Sequence, residues 1–248
     1  MPPPALQALI FDVDGTLADT EAVHLESFNQ AFAQEGLDWH WTEAEYTQLL
    51  EVSGGKERML HYWRQREPGL QELEPGARAQ VVARLHEAKT AAYEARLADG
   101  AVSLRPGVLA LMEAAQRAGL LMAIATTTSP VNIGALLRPV LGPDWRLNFA
   151  AIGDASTAPL KKPHPQVYEQ VLREIRKPPG ACIALEDSHN GLRAASAAGI
   201  AALVTPTRFT AHQDFSGALK VRPDLQGITL PQLQGWLAQM RAEPVVPV

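Results

Sequence analysis

The chain has 248 residues, enough for one large hydrophobic core or for a core with a small second domain. Hydrophobic residues make up 46% and charged residues 20%, as is usual for soluble globular proteins, and the net charge of -5 argues against a nucleic-acid-binding surface. The single cysteine, Cys182, excludes an internal disulfide. No secretory signal pattern or membrane-length apolar run is seen. We therefore expect a cytoplasmic protein, and a monomer, that binds neither nucleic acid nor a membrane.

The first predicted strand is the short apolar run 8–11. Asp12, Asp14 and Gly15 come shortly after it. An Asp-Gly pair is ordinary turn chemistry, and that alone would account for Asp14 and Gly15. It does not account for Asp12, a charge at the end of a buried strand. Ligands collect at the carboxyl ends of strands in parallel α/β sheets, so we expect chemistry here.

Only helices are predicted over the next segment. The first runs over 21–34, and a capping box at 42–45 opens the second. The third runs from Lys56 to about Arg66, residues 67–69 form a turn, and a long helix covers 75–97. These helices follow a buried strand directly, so they are interpreted as an inserted helical cap.

Strands and helices then alternate. Strands are predicted at 120–125, 149–152, 181–185 and 200–205, with helices between them and a last helix opened by a capping box at 229–232. This alternation predicts an α/β fold, a doubly wound parallel sheet with the helical cap inserted after its first strand. The predicted domains are a catalytic core of residues 1–19 and 101–248, and a cap of residues 20–100.

Polar side chains follow the ends of four predicted strands. They are Asp12, Asp14, Thr126, Lys162, Glu186 and Asp187. Carboxylates that meet at one edge repel each other unless a cation intervenes, and an all-oxygen site suits Mg²⁺. A lysine and a hydroxyl beside them suit a phosphoryl group. No Walker loop is present, so a nucleotide-cradling P-loop is not expected.

Taken in this order, the residues resemble the haloacid dehalogenase superfamily of phosphotransferases. The motifs are Asp12-Val13-Asp14-Gly15-Thr16, then Thr126, then Lys162-Pro163, then Glu186-Asp187-Ser188. The resemblance implies a Rossmannoid core in which Asp12 attacks phosphorus and forms an aspartyl phosphate. It implies that Asp14 is the general acid and base, and that Thr126 and Lys162 hold the phosphoryl oxygens.

The same resemblance implies the ligands of the Mg²⁺ cofactor. They are the Asp12 carboxylate, the Asp14 carbonyl and Asp187, with Glu186 acting directly or through water. An aspartate two residues after the nucleophile is absent from dehalogenase members of the superfamily. Asp14 therefore favours phosphate ester chemistry.

The cap also has residues of interest. Glu21 and His24 share a helix face, Lys56 and Arg58 follow a glycine pair, and Lys89 lies on the long helix. An exposed Lys or Arg is usually only a solvated charge. The cap nevertheless resembles those of β-phosphoglucomutases and, more closely, CbbY-type phosphatases. The matching positions, which are predicted to bind substrate, are Glu21, His24, Tyr46, Gly55, Lys56, Arg58, Lys89, Thr127 and Thr128.

That resemblance implies a phosphosugar substrate, namely xylulose 1,5-bisphosphate, an inhibitory by-product of Rubisco in organisms with a Calvin cycle. The second phosphate is expected to meet Lys56, Arg58 or Lys89. The alternatives are a phosphosugar mutase, a phosphoglycolate phosphatase, and a catalytically inactive binding protein, which would be expected to have a broken motif. Asn190 is interpreted as a helix cap, and Arg208, Phe209 and His212 have no functional interpretation.

Overall fold

The centre of the molecule is a six-stranded parallel sheet, described by a computed structural model over residues 5–66 and 75–242. Its strands are β1 Ala8–Phe11, β2 Leu121–Ala125, β3 Ala151–Gly153, β4 Cys182–Glu186, β5 Ala201–Val204 and β6 Lys220–Val221. They lie in the order β3-β2-β1-β4-β5-β6, and every pair is parallel. The predicted fold class is confirmed, although β3 lies later than expected and β6 was not predicted.

Five helices lie between β1 and β2 in the described part of the chain, and we call the first four of them the cap. They are α1 Glu21–Gln34, α2 Glu43–Leu49, α3 Gly55–Arg66 and α4 Pro75–Ala98. The helices of the rest of the chain are α5 Val108–Arg117, α6 Pro130–Leu141, α7 Gln166–Ile175, α8 His189–Ala197 and α9 Leu230–Ala242. No helix within the described ranges is both long and apolar enough to cross a membrane. The predicted turn at 67–69 lies outside the described residues, and the domain boundaries stay a prediction.

Successive side chains of each strand point to opposite sides of the sheet, and a hydrophobic cluster covers each of its two faces. In β1, Leu9 and Phe11 join one hydrophobic cluster, while Ala8 and Ile10 join another. The register pairs Phe11 with both Ile124 of β2 and Leu185 of β4. The three central strands therefore end at the same level, and the residues that follow them share one edge.

The cap has a hydrophobic cluster of its own that is rich in aromatic rings. Trp41 lies at its centre, with ring centroids 4.8 Å from both Phe28 and Phe32 and 5.4 Å from Tyr62. Such aromatic pairs each add about 0.5–1.5 kcal/mol beyond the area that they bury. Thr42 caps α2 in the predicted capping box, since Glu45 N donates to its hydroxyl and its own N donates to Glu45 Oε2.

The two connections between the cap and the sheet run side by side. Ala18 and Leu104 form an antiparallel bridge, and Arg105 N donates to Leu17 O at 2.8 Å. The Arg105 guanidinium donates to the carbonyl oxygens of Gly15 and Thr205, which tie the connection to the sheet edge. The chain consequently enters and leaves the cap next to the two aspartates that follow β1.

Candidate active site

The site begins where β1 ends. Asp12 N donates to Leu185 O at 2.9 Å, which continues the strand pairing to the carboxylate itself. Asp12 is buried, at 7% exposure. Three residues further on, Gly15 has a φ of +77°, and a Cβ there would collide with the Asp187 carboxylate. Gly15 is therefore needed both for the turn and for the close approach of Asp187 to the β1 end.

A buried lysine joins two of the carboxylates. Lys162 Nζ donates to Asp12 Oδ1 at 2.7 Å and to Glu186 Oε1 at 2.6 Å. Tyr168 of α7, which the sequence interpretation missed, donates its hydroxyl to the same Glu186 oxygen. Burial lowers the pKa of Lys162, but the two carboxylates outweigh it and hold that pKa above its ordinary value. The lysine is thus a fixed positive charge at this edge of the sheet.

Three acids at this edge could hold a metal ion. One oxygen from each of Asp12, Glu186 and Asp187 lies within 4.8 Å of the others. Glu186 Oε2 is buried and has no hydrogen-bond partner within the described structure. An orphaned carboxylate oxygen in an all-oxygen group is the donor set that Mg²⁺ prefers. The residues therefore fit a divalent cation, and the Asp14 carboxylate is not part of the group.

Without a cation, the charged forms of Asp12 and Asp187 are unfavourable. Burial raises the pKa of Asp12 to about 7, with Glu186 and Asp14 adding to the rise and Lys162 opposing it. Burial, Asp12 and Glu186 also raise the pKa of Asp187 well above its ordinary value. Protons and a metal ion therefore compete for these carboxylates.

This competition predicts a pH-dependent stabilisation by magnesium. In the metal-free protein, the pKa of Asp12 is about 7 in the folded state and 3.8 as the ordinary value. Protonated Asp12 therefore favours the fold at low pH, and this contribution is lost as pH rises through 7. We expect the gain in melting temperature on adding MgCl₂ to be larger at pH 8 than at pH 5.5, measured by calorimetry with KCl of equal ionic strength as control. A gain that is the same at both pH values would contradict this cation site.

Thr126, which is predicted at the β2 end to hold the phosphoryl group, lines the same cavity as Lys162. Thr126 is 2% exposed, and its N donates to Gly153 O at 3.0 Å. Thr128 N donates to the Thr126 hydroxyl at 3.3 Å, and Asn132 of α6 donates to the Thr128 hydroxyl at 3.1 Å. These hydrogen bonds order the loop, and Thr126, Thr127 and Thr128 all line the central cavity.

Asp14 turns toward the cap instead. Thr20 donates its hydroxyl to Asp14 Oδ1 at 2.7 Å, and His24 Nε2 lies 2.9 Å from the same oxygen. Lys89 Nζ lies 2.7 Å from His24 Nδ1. Because an ammonium group only donates, Nδ1 accepts and Nε2 carries the proton toward Asp14. Burial alone would raise the pKa of Asp14, but His24, Thr20 and the Lys89 charge hold it well below its ordinary value.

Arg58, which is predicted to bind substrate, already has hydrogen-bond partners within the cap. It is 8% exposed, its Nε donates to Leu49 O at 3.1 Å, and its Nη1 donates to the Tyr46 hydroxyl at 3.1 Å. That hydroxyl donates in turn to Glu21 Oε2 at 2.6 Å. Arg58, Tyr46 and Glu21 thus form one hydrogen-bonded group inside the cap.

A cavity of about 490 Å³ lies between the sheet edge and the cap. Every predicted site residue lines it except Glu186 and Tyr46, which contact residues that do. Lys161 and His86 also line it and were not predicted. The sequence shows only that Lys161 and Lys162 are adjacent. It does not indicate that Lys162 pairs with Asp12 while Lys161 lines the cavity.

Asn190 does not cap its helix as interpreted. The N-cap of α8 is Ser188, whose hydroxyl accepts from Gly191 N at 3.2 Å. The Asn190 amide reaches across to the cap and donates to Glu51 O at 2.9 Å and to the Ser53 hydroxyl at 3.2 Å. A long-range partner of this kind leaves no signal in the local sequence.

A buried carboxylate paired with a lysine, an acidic group that fits a cation and a helical cap inserted after the first strand are typical of one family of hydrolases. Residues 6–199 match the model of that family, the haloacid dehalogenase-like hydrolases, and the chain belongs to it. The chain is similar to the plasmid-encoded protein CbbY of Cupriavidus necator, with 54% identity over 220 residues, which are 89% of this chain and 86% of the relative.

Two further similarities extend this result. A crystal structure of mutant CbbY from Rhodobacter sphaeroides in complex with xylulose-(1,5)bisphosphate has 40% identity and a TM-score of 0.80, covering 90% of this chain and 96% of that one. Hexitol phosphatase B of Escherichia coli K12 is 31% identical over 206 residues, 82% of this chain and 85% of the relative. The expected resemblance is confirmed, and the chain is an enzyme of this hydrolase family.

Proposed function

We propose that this enzyme is a Mg²⁺-dependent phosphatase that hydrolyses a sugar bisphosphate such as xylulose 1,5-bisphosphate through an aspartyl phosphate. The observation that supports the proposal is the cavity, which is lined by Asp12 and Lys162 together with the cap cations Lys56, Arg58 and Lys89. The complex of the similar CbbY from Rhodobacter sphaeroides with that bisphosphate supports the substrate class.

The first half of the reaction transfers the phosphoryl group to Asp12. An Asp12 carboxylate oxygen attacks phosphorus, the bond from phosphorus to the sugar oxygen breaks, and that oxygen takes a proton from Asp14. Lys162 and the Thr126 hydroxyl offset the charge on the phosphoryl oxygens. Asp12, Asp187 and the Asp14 carbonyl, with Glu186 directly or through water, would hold Mg²⁺, and the ion would supply further charge neutralisation.

The second half returns the enzyme to its starting state. Water attacks phosphorus, Asp14 takes the proton of the water, and the bond between phosphorus and Asp12 breaks to release inorganic phosphate. The resting structure favours the carboxylate form of Asp14 that this half requires. The proton that Asp14 takes from water is the one that it gives to the sugar oxygen in the next turnover, and Thr20 and His24 contact its carboxylate and orient it in both halves.

The function is tested by measuring inorganic phosphate released from a panel that includes xylulose 1,5-bisphosphate, glucose phosphates and phosphoglycolate. We expect release from the pentulose bisphosphate to have the highest kcat/KM. Formation of a positional isomer without phosphate release, seen by ³¹P NMR, would instead indicate a mutase. Preference for phosphoglycolate would indicate a phosphoglycolate phosphatase, and no turnover of any substrate would indicate a binding protein.

The second phosphate of the substrate, which is not transferred, should meet cations that line the cavity. Lys161 is half-buried, and its ammonium donates to Ala155 O at 3.1 Å and to Ala158 O at 3.4 Å. Lys56, at the start of α3, is exposed and lines the same cavity, as does His86. Burial lowers the pKa of Lys161, the Glu57 and Asp154 charges oppose this effect, and repulsion from the Lys56 charge adds to it. A second phosphate between these groups would relieve that repulsion.

Lys161→Ala is therefore expected to raise KM for the bisphosphate roughly tenfold or more, as one charge-assisted hydrogen bond implies. Hydrolysis of p-nitrophenyl phosphate, which has no second phosphate, should change far less. Steady-state kinetics on both substrates measure this, with Lys220→Ala, an exposed lysine of β6, as the matched control. Equal losses on the two substrates would remove Lys161 from this role.

A further inference from the structure

The loop that follows β5 carries a phenylalanine in an unusual place. Phe209 is 1% exposed although it lies in a loop of the sheet region. Its ring belongs to the aromatic cluster of the cap, and the other described members of that cluster come from the cap itself. Phe209 thus comes from the sheet region of the chain, but its side chain is buried in the cap.

Within the cap, the Phe209 ring contacts Tyr46, whose hydroxyl group is hydrogen-bonded to two residues that line the cavity. Phe209 packs edge-on against Tyr46, with ring centroids 6.0 Å apart at 88°. The Tyr46 hydroxyl holds Glu21 and Arg58, and both of these line the cavity. The aromatic edge therefore fixes the ring whose polar tip positions an acid and a guanidinium group toward the substrate.

The loop is also tied firmly to the core. Thr207 N donates to the Thr210 hydroxyl at 2.9 Å, and Phe209 N donates to the Thr207 hydroxyl at 3.2 Å. The Thr210 hydroxyl lies 3.5 Å from Asp187 Oδ2, in the acidic group at the sheet edge. The position of Phe209 is therefore set by the same end of the sheet that holds the reacting phosphate.

A salt bridge completes the contact on the outside. Arg208 Nη2 lies 3.3 Å from Glu43 Oε2 at the start of α2, and its guanidinium lies 4.8 Å from the centre of the Phe209 ring. Both Arg208 and Glu43 are more than half exposed, so this ion pair contributes little on its own. The contact depends mainly on Phe209.

We infer that Phe209 is a positioning residue for the substrate: it docks the core loop onto Tyr46 and so holds Glu21 and Arg58 against the sugar bisphosphate. This inference rests on the proposed function. Phe209 touches neither the reacting phosphate nor the cation ligands. Its loss should therefore affect recognition of the distal part of the substrate more than transfer of the phosphoryl group.

The test compares two phenylalanine variants of the full-length enzyme. Phe209→Leu keeps an apolar side chain but removes the aromatic edge, and Phe149→Leu removes a similar edge-on contact, with Trp145, far from the cavity. We expect Phe209→Leu to raise KM for xylulose 1,5-bisphosphate about fivefold with a smaller change in kcat, as the strength of one aromatic pair implies. Its kcat/KM for p-nitrophenyl phosphate should fall less, and Phe149→Leu should alter neither substrate.

Hydrogen–deuterium exchange gives a second readout that needs no substrate. Phe209→Leu should increase exchange of the amides in α2 and α3 and leave those of β1 and β4 unchanged, whereas Phe149→Leu should leave α2 and α3 as in the wild type. Equal losses on both substrates, or unchanged exchange in α2 and α3, would overturn the inference. If the wild type releases no phosphate from any bisphosphate, the proposed function fails, and the exchange result alone decides whether Phe209 positions Tyr46.

Discussion

Asp12→Asn is expected to abolish turnover while the fold is kept. Asparagine has the shape of aspartate but not the anionic oxygen that attacks phosphorus, so kcat should fall by about a thousandfold or more, as removal of a nucleophile does in other hydrolases. The fold should tolerate the change because Lys162 keeps Glu186 as a partner and a buried carboxylate is removed. Phosphate release and the melting temperature measure the two parts of this prediction.

Two controls make the result specific. Asp19→Asn is the same chemical change at an exposed site seven residues away, and it should leave kcat and KM as in the wild type. Intact mass after rapid quenching should show a phosphorylated wild-type protein and none in the variant. Residual activity of the Asp12 variant above about a tenth would show that another group accepts the phosphoryl.

Lys162→Met should remove both activity and stability. The side chain is 5% exposed and pairs with two buried carboxylates, which would be left without a positive partner. Breaking a buried ion pair in this way typically costs about 3–5 kcal/mol. We expect a loss of this size in the free energy of unfolding of the metal-free protein at pH 8, measured by urea denaturation.

The loss should shrink under two conditions. Below pH 6 Asp12, whose pKa burial raises to about 7, can take a proton, so the variant then buries less uncompensated charge. Saturating MgCl₂ at pH 8 should also recover part of the stability, because the cation replaces some of the missing charge. Lys220→Met is the control for the substitution itself. A loss that is the same at both pH values and with or without magnesium would show that Lys162 contributes packing rather than charge.

Local sequence signals were sufficient for the sheet edge. A buried strand that ends in Asp12, with further polar residues after β2 and β4, predicts a shared edge because parallel strands end together. The register of Phe11 with Ile124 and Leu185 confirms that expectation. By contrast, β6 was missed because it has only two residues, Lys220 and Val221, and both are exposed, so no alternation marks it.

The contacts of the cap could not be predicted in the same way. Arg58 was expected to bind substrate, but its hydrogen bonds to Tyr46 and Leu49, which come from another helix, were not predicted. Phe209 had no interpretation because its contact with Tyr46 joins positions far apart in the chain. Such pairs depend on how the cap lies against the sheet, and no local pattern contains that information.

The uneven placement of aromatic residues makes tryptophan emission a reporter for one part of the molecule. Of the five tryptophans, Trp39, Trp41 and Trp63 are buried in the aromatic cluster of the cap, while Trp145 and Trp236 lie in the sheet region. Emission should therefore follow the loosening of the helices around the cavity more closely than the melting of the sheet. A fluorescence transition that precedes the far-ultraviolet circular dichroism transition would mean that the two parts of this enzyme unfold one after the other.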